Sequence, residues 1–468
     1  MRLRAVGRVT VAVLVGSLAV VVVGAIGVAD AAGEVYTFRG GDAPLVPRDA
    51  AAAPAHDLAR PTAVIVLGSW GANVADALAP YEVLARTEAF NVYTVAPQRR
   101  PLPMTGGLDI LPDLTFDELE QRLGGAPDVI VIPQLPDSGE PSSVPIERWL
   151  LRQRAMGEPL LVSVCVGAEV LASAGVLDGR PATSNWLGLI GLRRSYPGVQ
   201  WQDGVRFVDD GEVITTAAVL SGIDGALRVV ERMQGPDMAA RVAREVNWPD
   251  YVPDRPALIP RVRPAPPDVV GLLSAAYRWD RPTTGVLLTD GVGEIELASV
   301  FRSYTELSYL ARPLAVSVDG RPIRSRHGLT FVPRADLVTA APRLDNLIVP
   351  GADAARRTVT TGLPLPGHLA PVYLHDRPGF AFDAALDDIA HTRDVATARW
   401  VAKTLEYPTT NPELSGPAWP WDLTLRPILV AVAAISAVLA IQILLGNRRA
   451  LSRTTADGRS DPAKGDAP

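Results

Sequence analysis

The chain has 468 residues, 48% of them hydrophobic, a formal net charge of -6 and a pI near 5.5. That composition excludes a disordered protein, because it supplies apolar area for two or three cores. It also argues against nucleic acid as a partner, since there is no basic face and no helix-turn-helix pattern.

Val9 to Ala29 carries no charge and follows Arg2, Arg4 and Arg8. It is long enough to span a bilayer with its N-terminus in the cytoplasm. Ala29-Asp30-Ala31 also fits a small-x-small cleavage site, so residues 1–32 are either a signal anchor or a signal peptide. Either way the following chain is exported. Residues 33–61 are rich in Ala, Pro and Asp without periodicity and read as a tether. Folding is expected from Thr62. Apolar runs of strand length lie at 63–67, 92–96, 129–132 and 160–164, separated by helical spacing over 75–85, 115–123 and 146–156. Thr115 with Glu118 three residues on is a capping box. Apolar strands alternating with amphipathic helices predict a parallel sheet covered on both faces, with ligands at the carboxyl ends of its strands.

The run Leu160-Leu161-Val162-Ser163-Val164 breaks at Cys165 and continues past Gly167 as a helix-like segment. A buried strand that feeds a helix through a tight turn lifts the turn residue clear of the sheet, as a nucleophile requires. A lone cysteine in an apolar strand is equally a small buried hydrophobe. Because it is the only cysteine, no intramolecular disulfide staples the exported part. A strand near 213–216 and one long helix from Ser221 to Val246 complete a domain over 62–250. A proline-studded linker follows at 251–282.

The chain then repeats itself. Gly107-Leu108-Asp109-Ile110-Leu111-Pro112 recurs as Gly328-Leu329-Thr330-Phe331-Val332-Pro333, and Ile132-Pro133 as Val349-Pro350. Ile223-Asp224-Gly225-Ala226-Leu227 recurs as Phe382-Asp383-Ala384-Ala385-Leu386, and Asn247-Trp248-Pro249 as Glu406-Tyr407-Pro408. The front offset is 328 - 107 = 221 and the back offset 383 - 224 = 159, so the copy at 283–408 is shorter, and the elbow region is the piece expected to be missing. After a juxtamembrane segment, 409–426, a second apolar segment spans 427–446. Trp419 and Trp421 precede it and Arg448, Arg449 and Arg453 follow it. These flanks place the tail, 447–468, in the cytoplasm and the bulk of the chain outside it.

Ser163-Val164-Cys165-Val166-Gly167-Ala168 and Ala174-Gly175-Val176-Leu177-Asp178-Gly179-Arg180-Pro181-Ala182-Thr183 resemble the elbow and its continuation in the DJ-1/PfpI superfamily. The likeness is to its isocyanide-hydratase-like and AraC-regulator-associated branch. Asp76 with Ala79-Pro80-Tyr81-Glu82-Val83-Leu84, and Ser221-Gly222-Ile223-Asp224, are similar to two further motifs of that branch. The resemblance implies a parallel-sheet, flavodoxin-like α/β sandwich of the class I glutamine amidotransferase type. Here it would occur as tandem copies, the second truncated and without the elbow, between N- and C-terminal transmembrane helices. This chain departs from the branch in three ways. Asn185 stands where the branch has a histidine, Pro133-Gln134-Leu135 where it has a P-G-G sequence, and membrane segments where it has a DNA-binding domain.

A thiol is nucleophilic as thiolate, so its pKa must be lowered by a helix N-terminus, a cation or an imidazole. None of the five histidines lies in the first domain proper, which argues against glutaminase action. The resemblance implies Cys165 and Asp76 as the catalytic pair, Asp76 as general acid/base, with Val166, Gly167, Asn185 and Thr183 around the ligand; as a bare residue Asp76 is also a helix-capping aspartate. His327 precedes the repeated glycine, either as a solvated loop residue or reaching Cys165, and Glu296 falls opposite Asp76 in a structural role. No cofactor and no metal is called for. The expected partners are the membrane, a small-molecule ligand or electrophile, and the second domain as an intramolecular mate for the first. Two functions follow: a ligand-binding or redox-sensing module with little catalysis, or a cysteine-dependent hydratase or hydrolase acting on a small electrophile.

Overall fold

The computed structural model describes residues 2–36, 54–249, 251–253, 258–407 and 414–457. Most of the expected tether and the end of the C-terminal tail lie outside the described residues. The chain forms two compact units, one of Met1–Asp30, Leu272–Trp279 and Trp421–Pro468, the other of Ala31–Gly271 and Asp280–Pro420.

The N-terminal helix α1 (Arg2–Val35) opens the chain. The principal elements that follow are β1 (Thr62–Val66), α2 (Val74–Ala85), β2 (Asn91–Ala96), β3 (Leu102–Met104), β4 (Leu108–Leu111), β5 (Leu114–Thr115), α3 (Phe116–Leu123), β6 (Val129–Ile132), α4 (Val144–Met156), β7 (Leu160–Ser163) and α5 (Ala168–Ser173). After them come β8 (Phe207–Asp209), β9 (Val213–Thr216), α6 (Ser221–Gln234) and α7 (Pro236–Glu245). They build a seven-stranded sheet in the order β8-β9-β7-β6-β1-β2-β5, parallel except for β8 on β9. Every residue of β1 and β6 is buried, which is why these strands read as continuous apolar runs and not as alternation. The Thr115–Glu118 capping box forms, each side chain taking the other's backbone N–H at 3.1 and 2.8 Å. The long helix expected from Ser221 is two helices. Gly235, at φ 90°, leaves helical geometry and Pro236 starts the next helix. The described end of the tether is docked on β2: His56 Nδ1 lies 3.1 Å from the Tyr93 hydroxyl, and the Asp57 N–H donates to Asn91 Oδ1 at 2.9 Å.

The segment expected as linker carries a helix, α8 (Val269–Tyr277). Beyond it lie β10 (Thr283–Leu287), α9 (Glu294–Ser303), β11 (Arg312–Ser317), β12 (Ile323–Arg324), β13 (Thr330–Val332), β14 (Ala335–Asp336), β15 (Asn346–Val349), β16 (Pro371–Tyr373), α10 (Ala381–Thr392) and α11 (Val395–Thr404). Five of these strands form an all-parallel sheet in the order β14-β11-β10-β15-β16. Ile132 pairs with Ser163, and Val349 pairs with Tyr373. Ile132 and Val349 match in the sequence repeat, so Tyr373 stands where Ser163 does and His375 stands where Cys165 does. The strand that feeds the elbow is therefore present in the second half. The left-handed turn found at Cys165 is not made at His375.

A third sheet joins the two halves of the larger unit. Its order is β12-β13-β4-β3, all antiparallel, and it places Phe331 opposite Ile110 and Val332 opposite Asp109. The two segments that repeat in sequence are thus paired with each other. Arg334 closes the junction with two bonds to the Asp109 carboxylate, at 2.7 and 3.1 Å.

In the smaller unit, α1 and α12 (Trp421–Asp457) are long and apolar enough to cross a membrane, over Val6–Val35 and Trp421–Leu445. Gly16 lets them meet closely: a Cβ there would lie 2.6 Å from Ile435 Cγ1.

Phe331 is fully buried at the junction, so Phe331→Ala should cost about 3–5 kcal/mol. Denaturant melts followed by tryptophan fluorescence should show both halves losing structure in one transition at a lower midpoint. Separate transitions would show that the junction does not couple them.

Candidate functional site

The site is built on the carboxyl end of β7. The Val164 N–H donates to the Ile132 carbonyl at 2.9 Å, and the chain then turns at Cys165, whose φ of 57° is a left-handed value that a side-chain-bearing residue rarely adopts. Gly167 is required by the close approach of the loop after β6, because a Cβ would lie 2.2 Å from the Ile132 carbonyl oxygen. Cys165 is 4% exposed. Its Sγ faces Gln134 Oε1 at 3.8 Å, and Ser184 Oγ donates to its carbonyl at 2.7 Å. The helix expected to activate the thiol, α5, is only six residues long and carries little dipole. Burial instead pushes the Cys165 thiol well above its ordinary range, and Asp76 once it is ionised, and Glu306, push the same way. Arg302 and the Val166 N–H oppose them without prevailing.

Asp76 does not cap its helix. Asn73 does, its Oδ1 accepting from the Ala75 and Asp76 N–H groups at 3.1 and 3.3 Å. Asp76 is thereby left to face the elbow from α2, where Oδ2 accepts the Gln134 N–H at 3.1 Å and Oδ1 is buried with no hydrogen-bond partner. Burial first, then the Glu306 charge, pushes its pKa up to about 8. At neutral pH both members of the expected catalytic pair therefore carry their protons.

The remaining members of the cluster were not legible by motif. Arg302 on α9 and Glu306 just beyond it come from the second half. Asn73 Nδ2 donates to Glu306 Oε2 at 2.6 Å, and Arg302 holds Glu306 through an ion pair at 3.3 Å and a bond to its carbonyl at 2.7 Å. Tyr36, directly after α1, adds a phenol whose oxygen is buried beside the Thr105 hydroxyl without a well-formed hydrogen bond. Burial raises its pKa well above the usual value, with Glu306 next in effect, so the phenol stays protonated. A signal for Arg302 and Glu306 lay one residue off the front offset of the repeat. They stand 302 - 82 = 220 and 306 - 86 = 220 residues after Glu82 and Arg86, another acid–base pair four residues apart, which is closed at 2.6 Å with its polarity reversed.

The other residues expected at the site divide. Val166 and Gly167 shape the turn. Asn185 instead caps a local turn through Leu187 N at 2.9 Å, and Thr183 is tied to Thr215 and to the Gln202 carbonyl at 2.8 and 3.0 Å. His327 is committed to Glu294, Nδ1 to Oε2 at 2.8 Å. With Glu82 these two bring ligand-type atoms within 4.8 Å of one another. The carboxylate oxygens are already bonded to the Ile295 N–H, Arg86, Ser325 and His327, so the group is a closed ion cluster. Glu296 accepts from the Gly293 and Ala352 N–H groups at 2.7 and 2.9 Å, a structural role. His375, in the place of the cysteine, accepts from the Gly351 N–H at 3.0 Å and faces Ser299 and the Ala381 carbonyl at 3.2 and 3.3 Å. Burial lowers its pKa, so this ring is neutral and its nitrogens are occupied.

A sequence profile of the DJ-1/PfpI family matches residues 62–232. The isonitrile hydratase of Pseudomonas putida is 30% identical over 175 residues, which are 37% of this chain and 72% of that enzyme. The chain belongs to the DJ-1/PfpI family. An HTH-type transcriptional regulator of Pseudomonas aeruginosa is 34% identical over 98 residues, 21% of this chain and 29% of the regulator. The crystal structure of DJ-1beta from Drosophila melanogaster aligns at a TM-score of 0.35 and 23% identity, over 40% of this chain and 97% of that one. Within the DJ-1/PfpI region lie the elbow, Asp76 and Gln134, whereas Arg302, Glu306 and Tyr36 lie outside it.

Asp76 binds a proton on folding between pH 3.8 and about 8, so its contribution to stability is lost as pH rises through that window. Asp76→Asn should therefore gain in Tm over the unsubstituted protein from pH 4 to pH 8, with no further gain above. In the same variant, Cys165 should be alkylated faster above pH 8, where Asp76 would otherwise add a negative charge beside the thiol. A Tm difference independent of pH would show that Asp76 is ionised in the fold.

Proposed function

We propose that this protein is a membrane-anchored DJ-1/PfpI-type binding module, in which the site around Cys165 and Asp76 holds a small, uncharged polar ligand on the extracytoplasmic side with little or no catalysis. The observation that carries this reading is the enclosure of the pair: Cys165 is almost fully buried, Asp76 is fully buried with Oδ1 lacking a hydrogen-bond partner, and burial raises the pKa of both. A buried thiol held above its usual range is a poor nucleophile, and because oxidation also follows thiolate character, it is a poor redox sensor. Asp76 Oδ1, the Tyr36 phenol and the Cys165 thiol offer hydrogen bonds to a guest, while Arg302 and Glu306 balance each other's charge.

The larger unit is read as two tandem DJ-1/PfpI-like copies that act as an internal dimer. The support is the pairing of Ile110 with Phe331, its own repeat equivalent at an offset of 221, as an approximate twofold axis through that pair would require. The apolar helices α1 and α12 are read as membrane spans with both chain ends in the cytoplasm. Retention of α1 is favoured over cleavage after Ala31. The helix continues unbroken to Val35, Ala31 is fully buried, and Glu34 forms ion pairs with Arg312 and Arg281 at 2.7 and 3.5 Å.

The second reading, a cysteine-dependent hydratase, is favoured by the left-handed turn at Cys165, a strained geometry with no use in a purely structural cysteine.

Iodoacetamide labelling of the full-length protein across pH, run beside turnover of an alkyl isonitrile, separates the two. Labelling should be slow at neutral pH and still rising at pH 9, with no hydration lost in Cys165→Ser. A labelling plateau below pH 8 together with Cys165-dependent turnover would establish the hydratase. For topology, a periplasmic-type reporter inserted after Pro253 should be active, and a cytoplasmic-type reporter inactive; the converse would invert the orientation.

A further inference from the structure

We infer that α8 is an interfacial membrane helix, a third lipid-contacting element that lies along the headgroup–acyl boundary. The inference rests on the reading of α1 and α12 as membrane spans. The helix, Val269 to Tyr277, carries no charge and interrupts a proline-rich stretch between Asp268 and Arg278. Nine residues rise about 14 Å, too short to cross a bilayer.

Its exposed side is the side that a soluble loop helix would make polar. Val269, Leu272 and, just beyond the helix, Trp279 are 43%, 61% and 48% exposed, with half-buried Ala275 between them. These positions, 269, 272, 275 and 279, run as one apolar stripe along the helix. The polar Ser274 is turned inward at 1% exposure.

The neighbours say what covers the stripe. Within the smaller unit the end of α8 is seated on α1. The Tyr277 hydroxyl donates to the Val20 carbonyl at 2.9 Å, and Gly27 abuts the backbone at Ala276, where a Cβ on the glycine would come 2.0 Å from the Ala276 oxygen. The surfaces of α1 and α12 on either side are equally apolar and exposed, with Val21 at 66% and Leu429 at 63%. Arg426 fixes the level. It donates to the Tyr277 carbonyl at 2.8 Å and lies over the Trp279 ring at 5.7 Å, immediately before the apolar run of α12 begins at Ile428. An arginine, a tyrosine and a tryptophan at the start of a span mark the bilayer interface, and an uncharged helix with an apolar stripe at that level contacts lipid.

The test places an environment-sensitive fluorophore on single introduced cysteines, Leu272→Cys, Val21→Cys and Val338→Cys, in the full-length protein. The unsubstituted chain, with its buried Cys165, is labelled in parallel as the blank. Each protein is reconstituted in phosphatidylcholine vesicles whose acyl chains are brominated near the headgroup or near the tail. The Leu272 label should lose most of its fluorescence to the shallow bromines and less to the deep ones. The Val21 label should be quenched by the deep ones, and the Val338 label, on the larger unit, by neither. An unquenched Leu272 label beside a quenched Val21 label would overturn the inference, whether the stripe is bare or covered by protein. If neither label were quenched, the membrane reading would fall and the inference with it. If only the Leu272 label were quenched, the span assigned to α1 would fall, and with it the placement of α8 at the boundary of that span.

Discussion

The antiparallel pairing of β4 with β13 decides where the rest of the larger unit lies. A one-residue slip in that pairing would send every side chain of Leu108–Leu111 to the opposite face, so the register of Ile110 on Phe331 is fixed by burial on both sides. With the register fixed, the turn at Gly106 comes against α9, where a Cβ on the glycine would lie 2.8 Å from Thr305 Cγ2 and 3.0 Å from the Phe301 oxygen. That contact carries Arg302 and Glu306 to the elbow side of α2. The bidentate bond from Arg334 to Asp109 is the polar part of the same lock, and removing either partner from such a buried pair costs about 3–5 kcal/mol.

What was legible in the sequence was whatever depends on local pattern. The buried strands read correctly because a parallel sheet covered on both faces needs continuous apolar runs, and the elbow read correctly because its strand, its turn glycine and its cysteine are consecutive. Asp76 was reached through a motif. The thiol's protonation state was not reachable in this way, because it depends first on the burial that the packed fold imposes, and then on Asp76 and Glu306 arriving from elements far away in sequence. Asn185 and Thr183 were placed near the ligand by resemblance, but the Asn185 side chain serves a local turn and the Thr183 hydroxyl donates to the Gln202 carbonyl. Gly235 and Pro236 were a written signal for a helix break that apolar periodicity across Ser221–Val246 obscured.

On the proposed tandem reading, the second half carries the counterpart of the elbow in a closed form. His375 occupies the register of Cys165, but its ring accepts a backbone N–H through Nδ1 and packs Nε2 against Ser299 and Ala381. An imidazole that is buried, neutral and bonded at both nitrogens fills the space a nucleophile would use, and the chain can omit the turn that would have strained it. Pro350-Gly351 follows β15 where Pro133-Gln134 follows β6.

The opposed ion pairs, Glu82 with Arg86 and Arg302 with Glu306, have a consequence for how this assembly can change. In a homodimer one sequence writes both faces of the interface, so any substitution made for one site is imposed on its twin. Here the first half presents acid then base to the second, and the second presents base then acid in return. Two identical subunits cannot be given that arrangement. On the proposed reading as an internal dimer, covalent linkage makes the interface directional: the surroundings of Cys165 can be changed through Arg302 and Glu306 while those of His375 are left as they are.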